Sequence, residues 1–213
     1  PPYRLIIGDT NLPSWSLRAW LLLRQFDLPF EATVIRLDQS DPQNRSGEFS
    51  PAGRVPILQC GDLAVWDSLA IIEFLAERHP DLPIWPRDAA SRARARTLAA
   101  EMHAGFAALR EELPFDCRPA LALPTLSEAA QSDVTRIKDI WRTARREQAG
   151  GGEFLFGAFS AADAMFAPVA VRFSQHGVAM DDPCRDYVAA LLRLPAMASW
   201  LADAATEGGP RSG

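Results

Sequence analysis

Short apolar blocks separated by polar turns fill roughly the first 80 residues, and longer helical periods fill the rest. Tyr3 to Gly8 is a brief apolar run that predicts a buried strand. Ser16 to Phe26 (SLRAWLLLRQF) has helical length and composition, and Pro13 and Ser14 ahead of it suit a helix start. Phe30 to Leu37 is rich in β-branched residues and predicts a second strand. Asp41 to Gly53 is polar and turn-like. Val55 to Cys60 and Leu63 to Trp66 flank Gly61-Asp62, a hairpin signal. Ser68 to Arg78 then places Leu69, Ile72, Leu75 and Ala76 on one helical face. The order is β-α-β, an irregular connection, then β-β-α. A strand, a crossover helix and a second strand imply a parallel pair, to which the hairpin adds antiparallel strands.

Beyond Pro80 to Arg87, a linker-like stretch with three prolines, strand signals vanish. Ala89 to Glu112 and Leu126 to Gln148 predict two long helices, the second closed by Gly150-Gly151-Gly152. Ser160-Ala161-Ala162-Asp163 has the form of a capping box and opens a deeply apolar helix running through Phe173, which Pro168 should bend. Shorter helices near Arg185 to Leu192 and Ala196 to Ala205 follow. Trp20, Trp141 and Trp200 are expected in the core, and Phe154 to Gly157 in a buried loop. The expected units are 1–80, an α/β domain, and 88–206, an all-helical domain, joined by 81–87 and followed by a tail at 207–213.

Composition narrows the function classes. A hydrophobic share of 48% over 213 residues is ample for a core, so disorder is not expected. The net charge of −5 argues against nucleic acid as a partner. Arg87, Arg92, Arg94 and Arg96 cluster, but with alanine between them they read as a solvated helix face. The three cysteines, Cys60, Cys117 and Cys184, fit no CxxC or zinc spacing, and no histidine pair offers a metal site. The expectation is a reduced, cytoplasmic protein with no metal and no membrane segment.

Three segments of the α/β half carry candidate chemistry. Thr10-Asn11-Leu12-Pro13-Ser14-Trp15-Ser16 spans the end of the first strand and the start of the first helix, where ligands collect and free N–H groups attract anions. The same residue types are ordinary turn and cap residues. Arg54-Val55-Pro56-Ile57 places a Val-Pro bond, a candidate cis peptide, at a strand start, where the Val55 backbone could pair with a peptide-shaped ligand. Trp66-Asp67-Ser68 ends the hairpin and opens the next helix, whose N-terminal N–H groups suit a carboxylate.

Together, the Ser/Asn/Thr turn, Val-Pro, Asp-Ser, proline-rich stretch and helical half resemble the cytosolic glutathione transferase family over nearly the whole chain. The segment NLPSWSLRAWLLL looks most like its zeta-like, serine-type branch, which includes maleylacetoacetate isomerases. The resemblance implies a thioredoxin-like β-α-β-α-β-β-α domain followed by an all-α domain, with Ser160 to Asp163 as the family's folding motif. It also implies that Val55 binds the cysteinyl backbone of glutathione with Pro56 beside it in the glutathione site, that Asp67 and Ser68 hold its γ-glutamyl end, and that Arg54 sits where a basic residue reaches its glycine carboxylate. The position usually held by the thiol-activating serine falls on Asn11. Thr10, Asn11, Ser14 and Ser16 are therefore all candidates, with Ser14 and Asn11 favoured. Trp15, Met102, His103 and Phe106 are the expected walls of an electrophile pocket between the halves.

The chemical task has a size. A free thiol titrates near ~8.5, and bringing it to about 6.5 takes roughly 2.7 kcal/mol of preferential thiolate stabilisation. One hydrogen bond to the anion together with a helix N-terminus supplies that much. The expected protein is a homodimeric, detoxification-type glutathione transferase, which ionises glutathione and adds it to a small hydrophobic electrophile. A glutathione-dependent cis–trans isomerase of the maleylacetoacetate type is the sharper alternative. A non-catalytic binding module with the same fold is the third, kept open by Asn11.

Overall fold

The computed structural model describes residues 2–8, 14–35, 46–117, 121–147 and 151–206. Thr10, Asn11, the end of the predicted second strand, the first five residues of the Asp41–Gly53 connection and the 207–213 tail lie outside the described residues. Chain order begins with β1 (Tyr3–Ile7), α1 (Ser14–Gln25), β2 (Phe30–Val34), the short α2 (Ser46–Phe49), β3 (Ile57–Cys60), β4 (Leu63–Trp66) and α3 (Ser68–Arg78). The sheet order is β2-β1-β3-β4. β1 runs parallel to β2 and antiparallel to β3, and β3 pairs antiparallel with β4 across Gly61-Asp62. This is the thioredoxin-like arrangement expected from the sequence.

The side-chain alternation of β1 explains why it is central. Tyr3, Leu5 and Ile7 face the main core with Leu58 of β3, while Ile6 joins Ile35 and Ile57 in a second cluster on the other face. A strand buried on both sides reads as a continuous apolar run, and YRLII does so apart from Arg4. α1 is apolar nearly all round because it is enclosed, packing on both α3 and α7.

The helical half comprises α4 (Ala89–Ala104), α5 (Ala107–Glu112), α6 (Glu128–Glu147), α7 (Ala161–Gln175), α8 (Asp182–Leu192) and α9 (Pro195–Thr206). The single helix predicted from Ala89 to Glu112 is two. The break falls at Gly105, where a Cβ would sit 2.9 Å from the Glu101 carbonyl oxygen, and at Phe106, which takes the left-handed region (φ 63°). α8 begins earlier than predicted, with Asp181 at its N-cap and Pro183 in its first turn. The arginines of the Arg87–Arg96 cluster are spent on protein partners. Arg92 donates to the carbonyls of Pro86 and Arg87, Arg94 pairs with Glu147, and Arg96 pairs with Glu73.

α7 is the central helix, buried along its length and continuous through Pro168. The capping box forms as predicted: Asp163 accepts from the Ser160 N–H at 2.9 Å and from the Ser160 hydroxyl at 3.0 Å. The 81–87 segment packs against this point. Ile84 and Trp85 are buried, and the Ile84 carbonyl accepts from the Ala161 N–H at 2.7 Å. Trp20, Trp141 and Trp200 are all in the core. Among the described residues no single helix is long and apolar enough to cross a membrane; α8 and α9, bent by 73°, reach that composition only jointly.

Just before α7, Gly152 lies against Gly157 with φ 131°, and a Cβ there would sit 2.4 Å from the Gly157 carbonyl oxygen. That atom cannot be accommodated without moving backbone. Gly152→Ala is expected to cost about 2 kcal/mol or more in urea denaturation, the range of strained-backbone substitutions.

Candidate functional site

The carboxyl-side end of the sheet and the start of α3 bring most of the singled-out residues to one place. A cavity of about 420 Å³ is lined by Trp15, Ala52, Arg54, Val55, Pro56, Trp66, Asp67, Ser68 and His103. Val55 and Pro56 line it, and the bond between them, the candidate cis peptide of the sequence, is cis. Among the described residues no hydrogen bond engages the Val55 backbone, which stays available one step before the ladder begins at Ile57.

Asp67 is the most constrained residue of the site. It sits in the left-handed region (φ 79°), a conformation that costs free energy for any residue but glycine and concentrates at functional positions. One carboxylate oxygen caps α3, accepting from Leu69 N–H at 2.8 Å and Ala70 N–H at 3.2 Å. The other lies 3.1 Å from His103 Nε2 of α4. Burial, aided by the facing charges of Arg18 and Arg110, holds His103 below its usual range against the pull of Asp67. The ring is therefore neutral at pH 7, and its Nε2–H donates to Asp67. Ser68 is buried, and its hydroxyl oxygen has no partner. An unused hydroxyl at a cavity wall is a ready ligand contact.

The start of α1 supplies the other side. Trp15 lines the cavity and meets the His103 ring edge-on at 5.3 Å. Ser14, the first residue of α1, is buried, and its hydroxyl accepts from Arg172 Nη2 at 3.5 Å. Ser16 is removed from the candidates by geometry. It is fully buried, and its oxygen accepts the Gly8 N–H at 3.4 Å, tying α1 to the end of β1. Met102 and Phe106 do not line the cavity either: both are buried in the main core, Met102 on the inward face of α4 and Phe106 at the α4–α5 break. Of the four expected wall residues, only Trp15 and His103 reach it.

Three residues escaped the sequence reading. Arg18, Arg110 and Arg172 converge behind Trp15, with Arg18 and Arg110 stacked on its ring at 4.4 and 4.6 Å. The available signal was Arg18 itself, a charge set among the apolar residues of SLRAWLLL, four residues after Ser14 and so on the same helix face. Among the described residues no group of three or more His, Cys, Asp or Glu side chains could hold a metal ion.

Comparison with known proteins agrees with this geometry. Residues 14–78 match the family model described as glutathione S-transferase, N-terminal domain. A probable maleylacetoacetate isomerase of Caenorhabditis elegans is 34% identical over 93 residues, which are 44% of this chain and 42% of that protein. Glutathione S-transferase 1 of Dianthus caryophyllus is 36% identical over 83 residues, covering 38% of this chain and 36% of the relative. The match thus spans about two fifths of these relatives' length. Among solved structures, a glutathione transferase homolog from Burkholderia GL BGR1 with bound glutathione superposes with a TM-score of 0.74 at 24% identity, covering 97% of this chain and 100% of that one.

Proposed function

We propose that this protein binds glutathione, stabilises its thiolate and adds it to a small electrophile, a reading supported by the match of residues 14–78 to the glutathione S-transferase N-terminal domain model and by the fold shared with solved glutathione transferases. The observation that carries this reading is the convergence of Val55, Pro56, Asp67 and Ser68, with Arg54 and Trp15, on one cavity. The free Val55 backbone suits the cysteinyl peptide of glutathione, pairing with it as one strand pairs with another. Asp67 offers a carboxylate to the γ-glutamyl ammonium, while the Ser68 hydroxyl and the N-terminus of α3 offer donors to its carboxylate. Arg54 is exposed at the rim, where its charge suits the glycine carboxylate.

In this reading the sulfur lies toward the start of α1, where Ser14 and Asn11 are the proposed contacts. The hydroxyl of Ser14 accepts from Arg172 and keeps its own proton for donation to an anion. The electrophile enters between the halves past Trp15 and His103. We place the junction of the two halves at 81–87, and we include in the proposal a cytoplasmic homodimer.

Ser14→Ala is expected to lower kcat/KM for glutathione conjugation to a chloronitrobenzene about 10- to 100-fold, the worth of one hydrogen bond to an anion. Steady-state rates at saturating glutathione measure it. A second reading, glutathione-dependent isomerisation, is favoured by the relative named as a probable maleylacetoacetate isomerase. Maleylacetone turnover that appears only when glutathione is added supports it; turnover independent of glutathione, or none, removes it.

A further inference from the structure

Arg18 is anomalous on physical grounds. It is 1% exposed, and neither its Nε nor its Nη1 has a hydrogen-bond partner. A buried guanidinium is normally paired, because removing an ion from water costs several kcal/mol. Among the described residues, Arg110 and Arg172 add to that cost and the smaller pull of Asp67 opposes them; burial and these two cations push Arg18 down to about 9.

The neighbours are accounted for. Arg110 donates to the carbonyls of Met102, His103 and Gly105, so it caps the end of α4. Arg172 donates to the carbonyls of Leu113 and Arg110 and to Ser14. Both have structural work that accounts for their burial. Arg18 makes no such bond from Nε or Nη1 among the described residues, and its guanidinium lies over the Trp15 ring, 4.4 Å from the centroid. Side chains on a helix lean toward its N-terminus, so Arg18 reaches back over the first turn, which starts at Ser14.

A 12-residue helix therefore directs the N–H groups of its first turn, the Ser14 hydroxyl and a guanidinium whose Nε and Nη1 are unpartnered among the described residues toward the same point. Resting on the glutathione reading, we propose that Arg18, backed by Arg110 and Arg172, is a charge-supplying residue that holds the glutathione sulfur as its anion. The guanidinium acts through space, across the Trp15 ring, and makes no bond to sulfur. The thiol proton passes to solvent, and no electron pair moves to or from the protein. His103, edge-on to Trp15, is held below its usual range by burial and by Arg18 and Arg110, Asp67 pulls the other way on both His103 and Arg18, and the cations gathered behind Trp15 are the arginines of α1, α5 and α7.

The energetics make a diagnostic trade-off. A charge buried without partners destabilises the fold, and such a feature persists at sites where it serves a ligand. Arg18→Met should therefore melt no lower than the unaltered chain. The same substitution should raise the pH at which bound glutathione ionises by roughly one unit, a loss of about threefold in thiolate at neutral pH and of about tenfold well below the ionisation pH. Arg18→Lys, which keeps the charge, should restore ionisation to within a few tenths of a unit.

The experiment is a pH titration of bound glutathione by thiolate absorbance near 240 nm, with binding followed in parallel by calorimetry and folding by thermal melts. The expected result is a raised ionisation pH for Arg18→Met, rescue by Arg18→Lys, affinity changed less than about threefold and no fall in Tm. An unchanged ionisation pH in Arg18→Met that still binds glutathione overturns the inference and leaves the glutathione reading standing. So does a lower Tm with failure of the lysine variant, which marks a structural role. Should Arg18→Met not fold, the unaltered protein decides: ionisation at the free-thiol value overturns the inference. No binding of glutathione by the unaltered protein overturns both.

Discussion

Asp163→Ala is expected to destabilise the chain by about 5 kcal/mol, enough to lower Tm by roughly 10–20 °C in a protein of this size. The carboxylate is completely buried and serves four donors: the N–H groups of Leu155 and Ser160, the Ser160 hydroxyl and the Tyr187 hydroxyl. It joins the loop before α7, the start of α7 and α8. Alanine leaves these donors dry and unpaired, at about 1–3 kcal/mol each, and cooperative relaxation recovers only part of that. Ser160→Ala removes one donor and should cost only about 1 kcal/mol. Differential scanning calorimetry of both variants checks the ratio, and Asp163→Ala melting within 2 °C of the unaltered chain contradicts the assignment.

The same residue gives a pH signature. Burial pushes the Asp163 carboxyl up from 3.8 to about 6 against the pull of its donors. Between these values the folded chain binds a proton that the unfolded chain has released, so this group's contribution to stability falls as pH rises through that window. Over roughly two units the change is of order 3 kcal/mol. Asparagine does not titrate, so the difference in stability between the unaltered chain and Asp163→Asn should drift in that direction between pH 4 and 6.

Asp67→Asn should weaken glutathione binding roughly 10- to 100-fold while leaving the fold nearly as stable. The side chain has two jobs, one on each oxygen: capping α3 and facing His103 and the cavity. Asparagine keeps a carbonyl oxygen for the cap and tolerates a positive φ, so helix start and backbone survive. What it loses is the negative charge offered to an ammonium, and hydrogen bonds to charged groups are worth about 1.5–3 kcal/mol. Asp67→Ala loses both and should cost about 1 kcal/mol of stability as well. Equal glutathione affinity in the unaltered and asparagine forms would separate Asp67 from the binding site.

How far the site could be read from the chain depended on where each residue sat. Val55, Pro56, Asp67 and Ser68 were legible because they end or begin elements, and element ends at one edge of a sheet converge. Met102 and Phe106 were misplaced for a different reason. A helical period shows that a residue is on an apolar face, but not whether that face meets a cavity or the core. Gly105 was a visible helix breaker in an otherwise Ala-rich run, and the split at α4–α5 follows from it. Of the buried arginines only Arg18 left a trace in the chain, as a charge among the apolar residues of SLRAWLLL. Pattern reading assigns arginine to water, and only the packing of α1, α5 and α7 around Trp15 puts three of them in one place.

The capping box at Ser160 to Asp163 was legible because its spacing is local, whereas Tyr187, its partner from 24 residues later, was not. Ser16 shows the converse. As a sequence letter it was equivalent to Ser14, yet the turn of the helix gives its hydroxyl to the Gly8 N–H and leaves Ser14 on the side facing Arg172.

The central claim is that the cavity beside Val55, Asp67 and Ser68 is built for glutathione, and a calorimetric titration with glutathione tests it most directly. The account predicts saturable binding at one site per chain, with a dissociation constant at or below about 1 mM, weakened by Asp67→Asn. Absence of any binding heat from the unaltered protein at millimolar glutathione would contradict it.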